Sequence, residues 1–191
     1  FAIPPEDEFT SRRRDACVAV CAFMMGSDSS AALPSMLVGS YGEASVLPAM
    51  RLALALVQNG PMNVHAQVGQ SGILIPITDI LKNALIEGER YPFSASISLV
   101  RFCGPHVSTS GMKDSASLAS IRDAVRTISS VLLIEESSDG EEEQVDTLKQ
   151  LKMESIFALE ALSTNASLWA AISQHSVPAV SQYLLDYDTW H

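Results

Sequence analysis

Two stretches far apart in this chain follow the same order of apolar runs and breaks. Residues 52–59 (LALALVQN) lead through Gly60 and Pro61 into residues 62–81 (MNVHAQVGQSGILIPITDIL). Residues 158–165 (ALEALSTN) lead into residues 166–184 (ASLWAAISQHSVPAVSQYL). Each stretch reads as a helix ending in a polar turn, a short helix, a small polar turn, and a further helix with an early proline. Pro76 and Pro178 fall at equivalent places. Internal self-similarity of this kind marks a repeat architecture. A unit of two or three short helices cannot bury its apolar stripes alone, so neighbours must stack to cover them. About four units fit the length, above the usual minimum of roughly three.

The rest of the chain is cut into helix-sized pieces by glycine, proline and asparagine. Apolar residues at helical spacing predict helices over 13–25, 31–38, 46–58, 62–68, 73–86, 93–103, 117–134, 145–162, 167–173 and 177–187. Asn59, Gly60 and Pro61 form the clearest stop: Asn and Gly accept left-handed geometry, and Pro lacks the donor a further turn needs. Residues 1–10, with Pro4, Pro5 and the acidic run from Glu6 to Glu8, read as an extended arm ahead of a helical-repeat segment over 11–191. The run from Glu135 to Asp146 is too polar to bury anything and reads as an acidic insertion.

Composition narrows the class further. Hydrophobic residues make up 47% of the chain and aromatics only 6%. A core of small aliphatic side chains suits closely packed helices better than a β-sandwich. The net charge of −10 repels phosphate backbones, so nucleic acid is not an expected partner. The Arg12 to Arg14 cluster is short and reads as a solvated helix start. The longest apolar stretch, 46–57, is broken by Pro48 and Arg51 and is well short of the roughly 20 residues a bilayer helix needs, so no membrane insertion is expected. Three cysteines, an odd number, argue for a reducing, cytoplasmic setting over a disulfide framework. Cys17 and Cys21 share a helix face and read as buried structural thiols. The chain opens on Phe1 without a signal-peptide pattern, and is read as a piece of a longer protein.

The segments Gly72-Ile-Leu-Ile-Pro76-Ile-Thr-Asp-Ile-Leu81 and Ser176-Val-Pro178-Ala-Val-Ser-Gln-Tyr-Leu184 resemble the second helix of Armadillo repeats, with the pattern Gly-x-Ile-Pro-x-Leu-x-x-Leu. The Ala- and Leu-rich runs before them resemble the third helix, and residues 93–100 look like the third helix of a middle unit. The resemblance covers roughly Val46 to Tyr187. It implies an all-α fold, a right-handed α-solenoid of about four Armadillo-like helical repeats. The related HEAT repeats and a plain helical bundle stay open as alternatives.

In the Armadillo family the third helices line a concave groove, and an Asn near the end of each clamps an extended peptide backbone. The matching positions here are Ala55, Ser98 and Ala161, none of which carries an amide. The resemblance therefore implies a groove without that clamp, and tight binding of extended basic peptides is not expected. Polar residues near these helices, Arg51, Gln58, Asn59, Arg101, Glu154 and Glu160, are candidates for partner binding; the alternative is that they solvate an outer face. Trp169 sits on an apolar helix and reads as core, whereas Trp190 lies near the end and could anchor a partner.

No catalytic site can be assembled. Phosphate-binding glycine loops and a nucleophile elbow are missing. His65, His106, His175 and His191 are scattered, and Cys103 with His106 across Gly104 and Pro105 is no known dyad. No metal ligand set and no cofactor are expected. The glycosylation pattern Asn165-Ala-Ser167 conflicts with a reducing compartment and reads as chance. Ser138, and after it Ser137, sit in an acidic context that suits acidophilic kinases and are phosphorylation candidates. The expected function is a non-catalytic protein–protein interaction scaffold, an α-solenoid segment of a larger cytosolic protein of the kind used in trafficking, cytoskeletal and signalling assemblies. The alternative is a regulatory or autoinhibitory helical-repeat domain attached to a catalytic module elsewhere in the full-length chain.

Overall fold

The structure, a computed structural model, describes residues 8–24, 32–107, 112–135 and 142–188, and among them every regular element is helical. In chain order these are α1 (Glu8–Met24), α2 (Ala32–Leu37), α3 (Val46–Asn59), α4 (Met62–Gln70), α5 (Leu74–Glu87), α6 (Arg90–Cys103), α7 (Met112–Leu132) and α8 (Glu142–Ser163). A 3-10 turn (Ala166–Leu168) then opens a single path through α9 (Trp169–Ala171), a π-helical turn (Ile172–Ser176) and α10 (Val177–Asp188). Short 3-10 turns also precede α3 (Glu43–Ser45) and follow α6 (Gly104–His106).

Two rows of helices emerge from the packing. In one, α2 meets α5, α5 meets α7 and α7 meets α10. In the other, α3 meets α6 and α6 meets α8. The rows are joined where α2 packs on α3, α5 on α6 and α7 on α8. The short α4 bridges α3 to α6, and α1 lies against α3 and α4.

Each helix buries one stripe, as the spacing of its apolar residues requires. On α3 the stripe is Ala49, Met50, Ala53, Leu56 and Val57; on α5 it is Leu74, Ile77, Leu81 and Ala84. α6 is covered on more than one side and buries Phe93, Ala95, Ile97, Leu99, Val100 and Cys103. The small residues of these stripes let backbones approach closely. Gly69 of α4 is the extreme case, since a Cβ there would stand 2.7 Å from the carbonyl oxygen of Cys103. The end of α5 depends on Gly88, whose φ of 73° is left-handed and lets its amide and that of Glu89 bond back to Ala84 O. Polar cross-links supplement the apolar contact: Ser129 of α7 bonds Ser176 of the π turn at 3.0 Å in the buried interior, and Thr78 of α5 reaches Ser120 O of α7 at 3.2 Å.

Several boundaries differ from the sequence expectation. α1 begins at Glu8 instead of residue 13, so the last residues assigned to the extended arm are helical, and residues 1–7 lie outside the described residues. α6 begins at Arg90 instead of 93, because Pro92 fits within a first turn where no amide donor is required. α8 begins at Glu142, inside the stretch read as an acidic insertion. Ser137 and Ser138 lie outside the described residues. The two helices expected at 167–173 and 177–187 are one path, because the π turn accommodates the register change without a break.

Trp169 corrects a further expectation. It is 60% exposed, not core. Leu168 and Ala171 take the buried side of this short segment, and the Trp169 indole N–H instead reaches back to Ser163 O at 2.8 Å. Trp190 lies outside the described residues. Cys21 is fully buried and Cys17 partly so, and the described thiols are all free. No helix among the described residues is long and apolar enough to cross a membrane.

Candidate functional site: the shared face of α3, α6 and α8

α3, α6 and α8 run in the same direction, and their side chains meet in matching order. Near the N-terminal ends, the Arg51 guanidinium lies over the Tyr91 ring at 5.3 Å, joining α3 to α6. Arg90 donates to Gln150 Oε1 at 2.6 Å and to Thr147 Oγ1 at 3.4 Å, joining α6 to α8. One turn on, the Ser94 hydroxyl donates to Glu154, whose other oxygen accepts from Gln150 Nε2 at 3.1 Å. Towards the C-terminal ends, Arg101 stands over Phe157 at 5.3 Å and over Phe102 at 5.9 Å.

These residues fall on the helix stripes opposite the core. On α3, Leu47, Arg51, Ala55 and Gln58 are exposed. On α6, the outward series is Tyr91, Ser94, Ser98 and Arg101; on α8 it is Gln150, Met153, Phe157 and Glu160. The face is thus a strip of cations held on aromatic rings, with a hydroxyl–carboxylate–amide cluster between them. Stacking on a ring fixes a guanidinium without neutralising it. Neither Arg51 nor Arg101 is ion-paired among the described residues.

The six candidates from the sequence are therefore treated unequally. Arg51, Arg101 and Glu154 belong to the cross-helix ladder. Gln58 and Glu160 are exposed on the same stripes but bridge nothing among the described residues. Asn59 spends its amide on its own helix, donating to Ala55 O at 2.7 Å. Of residues 55, 98 and 161, Ala55 is exposed while Ser98 and Ala161 are half-buried. Sequence reasoning missed Tyr91, Phe157, Arg90, Gln150 and Ser94. The available signal was the spacing of Tyr91, Ser94, Ser98 and Arg101 along α6, which puts them on the side away from Phe93, Ile97 and Val100.

A second cluster closes the C-terminal end of these helices. His65 of α4 bonds Val57 O, in the last turn of α3, at 2.7 Å through Nε2. Its ring centre is 5.3 Å from Phe102 and 6.1 Å from His106. Burial, and then the neighbouring His65, lowers the pKa of His106. Cys103 is fully buried, and burial, with a further contribution from Cys21, pushes its thiol far above the ordinary range. Burial of this kind disfavours the thiolate form of Cys103.

No family model, no curated protein and no solved structure matches this chain.

Proposed function

We propose that this chain is a non-catalytic protein-binding scaffold, built as an Armadillo-type α-solenoid of about four repeats. The observation that carries this reading is the parallel row α3–α6–α8, each helix packed on the next in chain order and each presenting one exposed stripe to a common face. The matching row α2–α5–α7–α10 behind it supports the same reading, as do Pro76 and Pro178, which fall in the first turns of α5 and α10. Short helices precede two members of the back row: α4 before α5, and the 166–171 segment before α10. This is the order short–second–third that the repeat requires.

The partner is a protein that docks on the α3–α6–α8 face, with Arg51, Tyr91, Arg101 and Phe157 as anchors. Arginine and aromatic side chains dominate the binding energy of protein interfaces, and here the rings already hold the cations in place, which reduces the ordering cost of docking. The unpaired thiols and the apolar stripes fit a reducing, cytosolic setting.

The test is paired affinity capture from cells. Wild-type chain, a face variant (Arg51→Glu with Arg101→Glu) and a back-row variant (Asp79→Lys with Arg126→Glu) are compared. The reading expects a protein retained by wild type and the back-row variant and lost from the face variant. Equal retention by all three contradicts it.

A further inference from the structure

The His65–His106 pair does nothing for the face just described, yet it has the features of a ligand set. Val57 O can only accept a hydrogen bond, so the Nε2 of His65 that meets it at 2.7 Å carries the hydrogen. In the neutral ring Nδ1 is then bare, with its lone pair free. A backbone carbonyl that holds the remote ring N–H is the usual second partner of a metal-binding histidine, because it fixes the tautomer and the ring plane and raises the ligand's basicity. The Phe102 ring lies tilted against His65 at 5.3 Å.

His106 supplies the complementary half. It is partly buried in the turn that follows α6 and makes no hydrogen bond among the described residues. A neutral imidazole with neither nitrogen hydrogen-bonded offers a lone pair as well. The ring centres are 6.1 Å apart and the planes cross at 49°. Zinc–nitrogen bonds of about 2.0–2.1 Å from two imidazoles to one ion hold the ring centres roughly 5–6 Å apart, so a small turn of the unbonded His106 closes the gap.

We propose that His65 and His106 form a two-imidazole site for a divalent transition-metal ion, zinc in the first instance, bridging α4 to the turn after α6. The remaining positions of a four-coordinate ion are left to water. Cys103, although close in sequence, is fully buried and is not assigned to the site.

Zinc chloride titrated into the full chain, followed by calorimetry, tests this. One zinc ion per chain is expected. His106→Gln and, separately, His65→Gln, which keeps a donor for Val57 O, are each expected to weaken binding at least tenfold, while His175→Gln leaves it unchanged. A zinc-induced rise in melting temperature should follow the same pattern. Absence of binding up to millimolar zinc overturns the proposal, as does zinc binding that survives both His65→Gln and His106→Gln.

Discussion

The side-chain amide of Asn165 donates to Val107 O at 3.1 Å and to Gly104 O at 3.3 Å, tying the end of α8 to the turn that follows α6. Its oxygen accepts from the Ser167 amide at 3.0 Å and starts the next turn. The residue is 9% exposed, so the pattern Asn165-Ala-Ser167 is occupied by a structural asparagine. Asn165→Ala leaves two carbonyls and an amide without their partner. A loss of roughly 1–3 kcal/mol is expected, read as a lower urea midpoint with an unchanged slope. A midpoint equal to wild type would show that water replaces the asparagine at no cost.

Gly69 sets two effects against each other. Alanine in a helix interior is intrinsically better than glycine by about 1 kcal/mol. At this position, however, the new Cβ would stand 2.7 Å from the Cys103 carbonyl oxygen, which is backbone and cannot swing away. Overpacking wins, and Gly69→Ala is expected to destabilise by roughly 1–3 kcal/mol in chemical denaturation. Gly72, with φ of 83° and nothing within 4 Å of a Cβ, isolates the conformational cost. Alanine there should lose only about 1–2 kcal/mol, from left-handed strain alone. The close approach of α4 to α6 would be refuted by a Gly69→Ala protein as stable as wild type.

Lys82 of α5 donates to Asp123 of α7 at 2.8 Å. That hydrogen bond, with the charges of Lys82 and Arg126, lowers the Asp123 pKa despite some opposing desolvation. A carboxyl group with a depressed folded-state pKa stabilises the fold above its unfolded value, near 3.9, and the contribution disappears as pH falls through the folded value. The side chains are 31% and 47% exposed, so solvent screening keeps the effect below about 1 kcal/mol. Asp123→Asn should therefore cost a few tenths of a kcal/mol at pH 7, and the cost should vanish as pH falls below the lowered folded-state value of Asp123. Denaturation of both proteins across that range checks it, and a gap that widens in acid would reverse the assigned sign.

Arg101 is expected to act on binding and not on folding. It is exposed, and replacing it with Glu removes only its contacts with Phe102 and Phe157. Stability should change by about 0.5–1 kcal/mol at most, while affinity for a protein captured on this face should fall tenfold or more. Surface plasmon resonance with that protein measures the second effect. Without an asparagine amide at residues 55, 98 or 161, extended lysine-rich peptides should bind no tighter than micromolar in calorimetry.

Much of the helical layout was legible from apolar spacing and breaks. Asn59, Gly60 and Pro61 stop α3 where their chemistry requires, and early prolines at 34, 48, 76 and 178 sit where a first turn tolerates them. Helix starts were less legible, because Glu8, Arg90, Met112 and Glu142 lead into their helices through polar residues that carry no apolar period. The cation–aromatic face of α3, α6 and α8 was half legible. Arg51, Arg101 and Glu154 stand out as polar residues on apolar helices. Tyr91 and Phe157 do not, since an aromatic at helical spacing reads as core until the neighbouring helix is placed beside it. Trp169 failed in the opposite direction for the same reason: its burial depended on whether a neighbour lay over that side of a one-turn segment.

The stacked arrangement is tested most directly by native-state hydrogen exchange along the whole chain. If each helix is held by its neighbours in two rows, protection should peak in α5, α6 and the buried half of α7, and fall stepwise through α3 and α2 on one side and α8 and α10 on the other. A single opening free energy shared by all these helices would mean one central core, and would contradict the row-by-row architecture on which the proposed binding face depends.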